Sequence, residues 1–380
     1  MTGPISFHRD RVRGGGGLAG AIVGPLLAVA VVTAISLLLY QDSGLTDIVL
    51  LFGINAVMVV GFQVFVGNTG IVSFGHIAFM ALGAYAGGIA AIPIADKSIF
   101  LPDLPSFIGS WSVSIAPALV IGGLVAGAIG LLAGGALMRL SGAAASIATL
   151  GLLIIVNNVI AQATPITRGP QSIYGIPTNT TFFWVFASLA VAVALASWFK
   201  WSALGLRARA ARDEPVAAES SGVPLVRSRL WAFALSAFIT GIGGALYAQL
   251  LGGFSPASFY LPQLTVVISM AIIGGINSIT GALTGAAVIS VVNELLRRVE
   301  DGVNVVGVHI QLATGISAAV LGVALIAMLR WRPDGLLGAA ELQVGPGTRK
   351  RPPGSTPLPD EGRQQPLSAP PPEATRLVGG

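Results

Sequence analysis

Residues 207–224, RARAARDEPVAAESSGVP, set a dense run of charge between two long apolar stretches. With its flank the run holds Arg207, Arg209, Arg212, Asp213, Glu214, Glu219, Arg227 and Arg229. At about 2.5 to 3.5 kcal/mol each at the centre of a bilayer, these charges would cost upwards of roughly 20 kcal/mol in lipid. The segment therefore lies in water, and the apolar stretches on either side of it are membrane spans.

Composition agrees with this. The chain is 54% hydrophobic and only 10% charged, against about 25% charged residues in a soluble domain, and its mean hydropathy is +0.81. Fifty of 380 residues are glycine, and small residues let membrane helices approach closely where lipid supplies no hydrophobic drive between them. Both features favour an all-α, polytopic helical bundle over a β-barrel, which would show short alternating segments. The net charge of +5 is read as arginines that fix orientation, with membrane lipid as the surroundings and no nucleic acid as partner.

A bilayer needs about 20 apolar residues per helix, which places spans near 18–40, 47–66, 71–95, 115–138, 142–163, 182–199, 230–251, 262–279, 281–299 and 312–329. Broken or re-entrant helices at GNTG (67–70) and GGINSITG (274–281) would lower the ten to eight or nine. HRDRVRGGGG at 8–17 has the basic flank of a signal peptide, but the apolar run after it exceeds the usual 7 to 15 residues or so. It is read as a retained first span. Residues 1–17 are then a cytoplasmic segment, 18–338 the membrane domain with a cytoplasmic loop at 200–229, and 339–380, rich in proline and polar residues, a disordered cytoplasmic tail.

With both termini inside, Arg9, Arg11, Arg13, Arg139, Lys200, Arg207, Arg209, Arg212, Arg227, Arg229, Arg330 and Arg332 fall on the cytoplasmic side. Lys97, Arg168, Arg297 and Arg298 fall outside. That asymmetry is the one expected of a correct orientation.

Enzyme signatures are missing: there is no phosphate-binding G-x-x-x-x-G-K-[ST], no H-E-x-x-H and no G-x-S-x-G. With three histidines and no cysteine, a metal site or thiolate chemistry is not expected. Polar groups at membrane depth tend to face a bundle interior or a water-filled cavity. They single out Ser73 and His76, then Asn157, Asn158 and Gln162, as candidates for a substrate path, with interhelical hydrogen bonding as the plainer role. Glu294 precedes Arg297 and Arg298 by three and four residues and is read as a helix-end ion pair. No unpaired acid stands deep in a span, which argues against an ion-coupled carrier. Glycines at close spacing, Gly83 with Gly87, Gly123 through Gly134 and Gly281 with Gly285, mark packing faces.

Within the opening stretch, Asp213 or Glu214 can cap a helix, Pro215 suits its first turn, and Gly222 with Pro224 ends it. About two turns, some 10 Å, remain. Ala217, Ala218, Glu219, Ser220 and Ser221 make its surface, with Ala218 expected on the face that a partner closes over and Gly222 expected at positive φ.

The chain resembles the permease subunits of bacterial ABC importers for branched-chain amino acids, of the LivM type. The resemblance rests on GNTGIVSFGHIAFMALGAYAGG, TRGPQSIYGIP, GLRARAARDEPVAAESSGV, LSAFITGIGGALYAQLLGGFSPASF, AIIGGINSITGALTGAA and RPDGLLG, in that order, over most of residues 50–338. It implies a heterodimer of two homologous permeases in the bacterial cytoplasmic membrane. It also implies two cytoplasmic ATPase subunits that carry the ATP and Mg²⁺, no cofactor on this chain, and a soluble extracytoplasmic binding protein. VAAESSG at 216–222 resembles the E-A-A-x-x-x-G element that docks on the ATPase, with Ala217, Ala218 and Gly222 matching and Val216 in place of the glutamate. The outer loop DKSIFLPDLPSFIGSWS at 96–112 has no counterpart. Permeases for urea or short amides are similar, and an ATP-independent secondary carrier or a noncatalytic membrane assembly protein are the readings from other classes.

Overall fold

A computed structural model of the chain describes residues 18–40, 45–301, 303–305, 308–310, 316–332 and 335–337. The expected cytoplasmic segment 1–17 and tail 339–380 lie outside the described residues. In chain order the helices are α1 (Leu18–Tyr40), α2 (Thr46–Thr69), α3 (His76–Ala91), α4 (Ile94–Phe100), α5 (Ser106–Gly109), α6 (Ile115–Leu137), α7 (Gly142–Gln162), α8 (Thr164–Thr167), α9 (Phe182–Trp201), α10 (Ala203–Asp213), α11 (Pro215–Ser220), α12 (Leu225–Leu251), α13 (Leu261–Gly274), α14 (Ile279–Asp301) and α15 (Ile316–Trp331). A 3₁₀ turn, Pro256–Phe259, leads into α13. Between α14 and α15 stand two short antiparallel strands, β1 (Val303–Val305) and β2 (Val308–Ile310). This hairpin was not expected from an all-helical reading.

Apolar helices occupy all ten expected positions. Eight are long and apolar enough to cross a bilayer, and a ninth qualifies if α3 and α4 are taken as one bent span. The exceptions have local causes. Span 71–95 was expected to run unbroken, but α2 ends at Gly70, whose φ of 70° lets its N–H return to Val66 O. Residues 70–75 stay non-helical, and α3 begins only at His76. Pro93 then closes α3, and α4 departs from it at 119°. Sixteen residues also make up α15, about 24 Å of helix.

α12 is the central helix, packed against α2, α3 and α6. Glycine makes this possible. A Cβ at Gly83 would lie 2.1 Å from Gly241 O, one at Gly244 2.0 Å from Met80 O, and one at Gly130 2.6 Å from the Ala237 Cβ. The same device joins α13 to α14, where a Cβ at Gly285 would lie 1.9 Å from Met270 O. Backbones meet backbones here, as small residues permit in lipid.

Side-chain contacts sort the chain to two ends. At one, Lys97 is buried and donates to Ile108 O and Trp111 O, tying the 92–113 loop together. Ile173 N and O pair with Phe254 at the same end. At the other end lie the α2–α3 junction, the α6–α7 turn and the α13–α14 turn, all within reach of α9, α10 and α12. Glu294, near the far end of α14, pairs with Arg297 at 3.0 Å and Arg298 at 2.9 Å, as its spacing predicts.

Candidate functional site

The 200–229 segment folds as two short helices. Ser202 caps α10 by accepting from Gly205 N at 3.2 Å, and Gly205 must be glycine because a Cβ there would stand 2.0 Å from Phe199 O. On α10, Ala208 and Ala211 face the protein and Arg207 faces away. Glu214 is extended and turns the chain into α11. Gly222 has a φ of 79°, and its N–H donates to Glu219 O while Val223 N donates to Ala218 O, closing the last turn.

Two expectations are corrected. Neither Asp213 nor Glu214 caps α11: Glu214 holds the N-cap position without a side-chain bond, and Asp213 is taken by Arg212 at 3.0 Å. Ala218 points inward, 6% exposed, on the side where α11 meets α10 and α12. The outward face is instead Val216, 73% exposed, with Ala217, Glu219 and Ser220.

Basic side chains of this segment reach three helix junctions. Arg212 Nη1 donates to Gly67 O at 2.5 Å and to Asn277 Oδ1 at 2.9 Å. Lys200 Nζ donates to Asn277 O at 3.0 Å. Arg209 Nη2 donates to Lys200 O at 2.8 Å and its guanidinium lies over the Trp201 ring. Arg229, buried, donates to Leu140 O and to Ser141 Oγ. Gly67 O and Lys200 O lie in the last turns of α2 and α9, where carbonyls lack intrahelical partners and the helix dipole favours positive charge, and the other acceptors lie in the turns between helices. Two residues of the RPDGLLG motif join the same end, since Leu336 N donates to Ile273 O and Leu337 N to Gly274 O. These contacts were missed from sequence because orientation alone accounted for every arginine.

The five path candidates separate into two groups. Ser73 and His76 are fully buried. Ser73 Oγ accepts from Gly75 N, within the α2–α3 junction. His76 Nε2 is bonded to Ser236 Oγ, which donates to Gly61 O. Phe62, Phe65, Phe79 and Phe233 ring the imidazole at centroid distances of 5.2, 5.6, 5.9 and 5.8 Å. Asn157 donates to Pro256 O. Asn158 and Gln162 lie on the exposed face of α7, where Asn158 donates to its own helix at Ile154 O. At the Lys97 end, Ser258, Gln263, Thr265 and Asn293 line a shallow cavity of about 210 Å³ that was not foreseen. Among the described residues no three His, Cys, Asp or Glu side chains gather as a metal site.

Residues 44–329 match the family model described as the branched-chain amino acid transport system, permease component. The chain is 28% identical to the high-affinity branched-chain amino acid transport system permease protein LivM of Escherichia coli, over 84% of this chain and 76% of that one. It is 23% identical to the corresponding LivH protein of Salmonella typhimurium, over 76% and 92%. The ribose import permease protein RbsC of Haemophilus influenzae is 25% identical, over 71% and 82%. No solved structure matches. The chain belongs to the branched-chain amino acid permease family and is a multi-pass membrane permease subunit of an ABC importer.

Proposed function

We propose that this subunit forms half of a pathway for branched-chain or other small apolar amino acids, opened to either side in turn by two ATPase subunits that dock on α11. The observation that carries this reading is the form of the 200–229 segment. It presents a short exposed helix, with Val216 outermost, while its basic residues hold junctions of the membrane helices. A partner that binds two states of the bundle with different affinity shifts the balance between them, and α11 is where such a partner makes contact. ATP and Mg²⁺ belong to the ATPases, a second homologous permease completes the pathway, and a soluble binding protein delivers substrate at the Lys97 end. The end carrying 200–229 is cytoplasmic, on the basic asymmetry of the sequence.

Among the path candidates, Asn158 and Gln162 are exposed on α7, and in this reading that face meets the second subunit and lines the pathway. Ser73 and His76 hold the α2–α3 junction instead. The test is coexpression with candidate ATPases, second permease and binding protein, followed by uptake of labelled leucine into proteoliposomes. Uptake that needs ATP and the binding protein, and that excess ribose or nucleoside does not reduce, is expected. Uptake by this chain without ATPases would make it a secondary carrier, and competition by ribose would move the substrate to sugars.

A further inference from the structure

We infer that Arg212 is the positioning residue through which displacement of α11 reaches the membrane helices, a reading that rests on α11 as the ATPase-docking element. Arg212 stands two residues before Glu214, the N-cap of α11, so it cannot stay still when that helix moves. Its guanidinium bonds its own neighbour Asp213 Oδ1 by Nε at 3.0 Å and reaches two other segments through Nη1, Gly67 O at 2.5 Å and Asn277 Oδ1 at 2.9 Å. Gly67 lies in the last turn of α2, where carbonyls lack partners within the helix. Asn277 lies in the turn between α13 and α14, and Lys200 fixes the backbone of that same residue.

The side-chain stem is held as well as the head. A Cβ at Gly70 would lie 2.7 Å from Arg212 Cγ, so the arginine stem rests directly on the glycine that ends α2. From Gly70 the non-helical residues 70–75 lead into α3, which packs against the central helix α12. Arg212 thus spans two helix breaks, and a shift in its position moves both together. Lysine offers a single ammonium where this site uses a planar fork with fixed donor directions. Arg229 holds a different break, the α6–α7 turn, and Arg209 bonds back to α9 at Lys200 O.

The experiment uses the complete importer in proteoliposomes, with the wild type, Arg212→Met, Arg212→Lys and Asn277→Ala. Copurified ATPase, ATP hydrolysis with and without loaded binding protein, and substrate taken up per ATP are measured. In Arg212→Met, ATPases should copurify within about twofold of wild type while uptake per ATP falls by about tenfold or more, a size usual for coupling between sites. Hydrolysis in that variant should no longer respond to the loaded binding protein. Asn277→Ala, which keeps the arginine, should show the same defect in milder form, and Arg212→Lys should not restore coupling. Uptake and hydrolysis that fall together in step with the amount of folded complex would reduce Arg212 to a stabilising cap and overturn the inference, as would unchanged uptake per ATP. A wild-type complex that retains no ATPase would defeat the docking role of α11 itself, an outcome separable from both.

Discussion

A methyl group at Gly83 would press on Gly241 O from 2.1 Å, and carbonyl oxygens of a packed helix do not move aside as flexible side chains do. Gly83→Ala should therefore force α3 and α12 apart and destabilise the fold by about 1 to 3 kcal/mol. Gly151 has nothing within 4 Å of its would-be Cβ, so Gly151→Ala should be neutral or stabilising by up to about 1 kcal/mol. Thermal stability in detergent, followed by size exclusion, distinguishes the two. At Ser236, substitution by alanine removes the hydroxyl shared by His76 and Gly61 O, and a buried group left without its partner costs about 1 to 3 kcal/mol. That loss should appear in stability, with apparent substrate affinity unchanged; a changed affinity with full stability would return His76 to the substrate path. Sequence made these residues visible as polar groups at membrane depth. It left open which way they face, because His76 and Asn158 are equally polar in an apolar run and only packing separates a caged imidazole from an amide on an open helix face.

At the scale of elements, helix positions were legible because lipid demands long apolar runs, whereas breaks within them were legible only in part. The junction at GNTG (67–70) was marked by its glycines, but the non-helical residues 71–75 and the bend at Pro93 fall inside an apolar stretch that composition reads through. The short α11 shows the complementary limit: Pro215 and Gly222 bound it correctly, but the phase of a six-residue helix against the bundle is a tertiary property. With Ala218 inward, Ala218→Arg would force a charge into a buried position and damage folding. Ala217→Arg is the cleaner variant, and should leave membrane insertion near normal while abolishing ATPase copurification. A Cβ at Gly222 meets no neighbour within 4 Å, so the main effect of Gly222→Val is backbone strain, about 1 to 2 kcal/mol at a φ of 79°. It should weaken ATPase binding less than Ala217→Arg does. The reverse order of the two would mean that the shape of the turn, and not the outward face of α11, is what the partner reads.

For the whole molecule, the ten apolar helices alternate in direction, and the contacts require it. α2 ends beside Arg212 and the α13–α14 turn, α14 starts there and ends near Glu294, and α9 ends there with Lys200. Residues 335–337 after α15 return to the same place through Leu336 and Leu337. Every described cation of the 200–229 segment that bonds a helix end does so at this end, and Lys97 and Arg168 lie at the other, so the structure segregates the charges that the sequence assigns to opposite sides of the membrane. Which end is cytoplasmic is then a single binary question. A chain without cysteine permits a direct answer, since one introduced thiol reports alone. Ser98 and Ser220 are both exposed and lie at opposite ends. In intact cells a membrane-impermeant maleimide should label Ser98→Cys and not Ser220→Cys, and in inside-out vesicles the preference should reverse. Labelling of Ser220→Cys from outside intact cells would turn the molecule over and place α11 where no ATPase can reach it. Labelling of both from one side would break the alternation itself: α6, α7 and α9 lie between the two positions, and one of these three would then have to enter and leave the membrane on the same face.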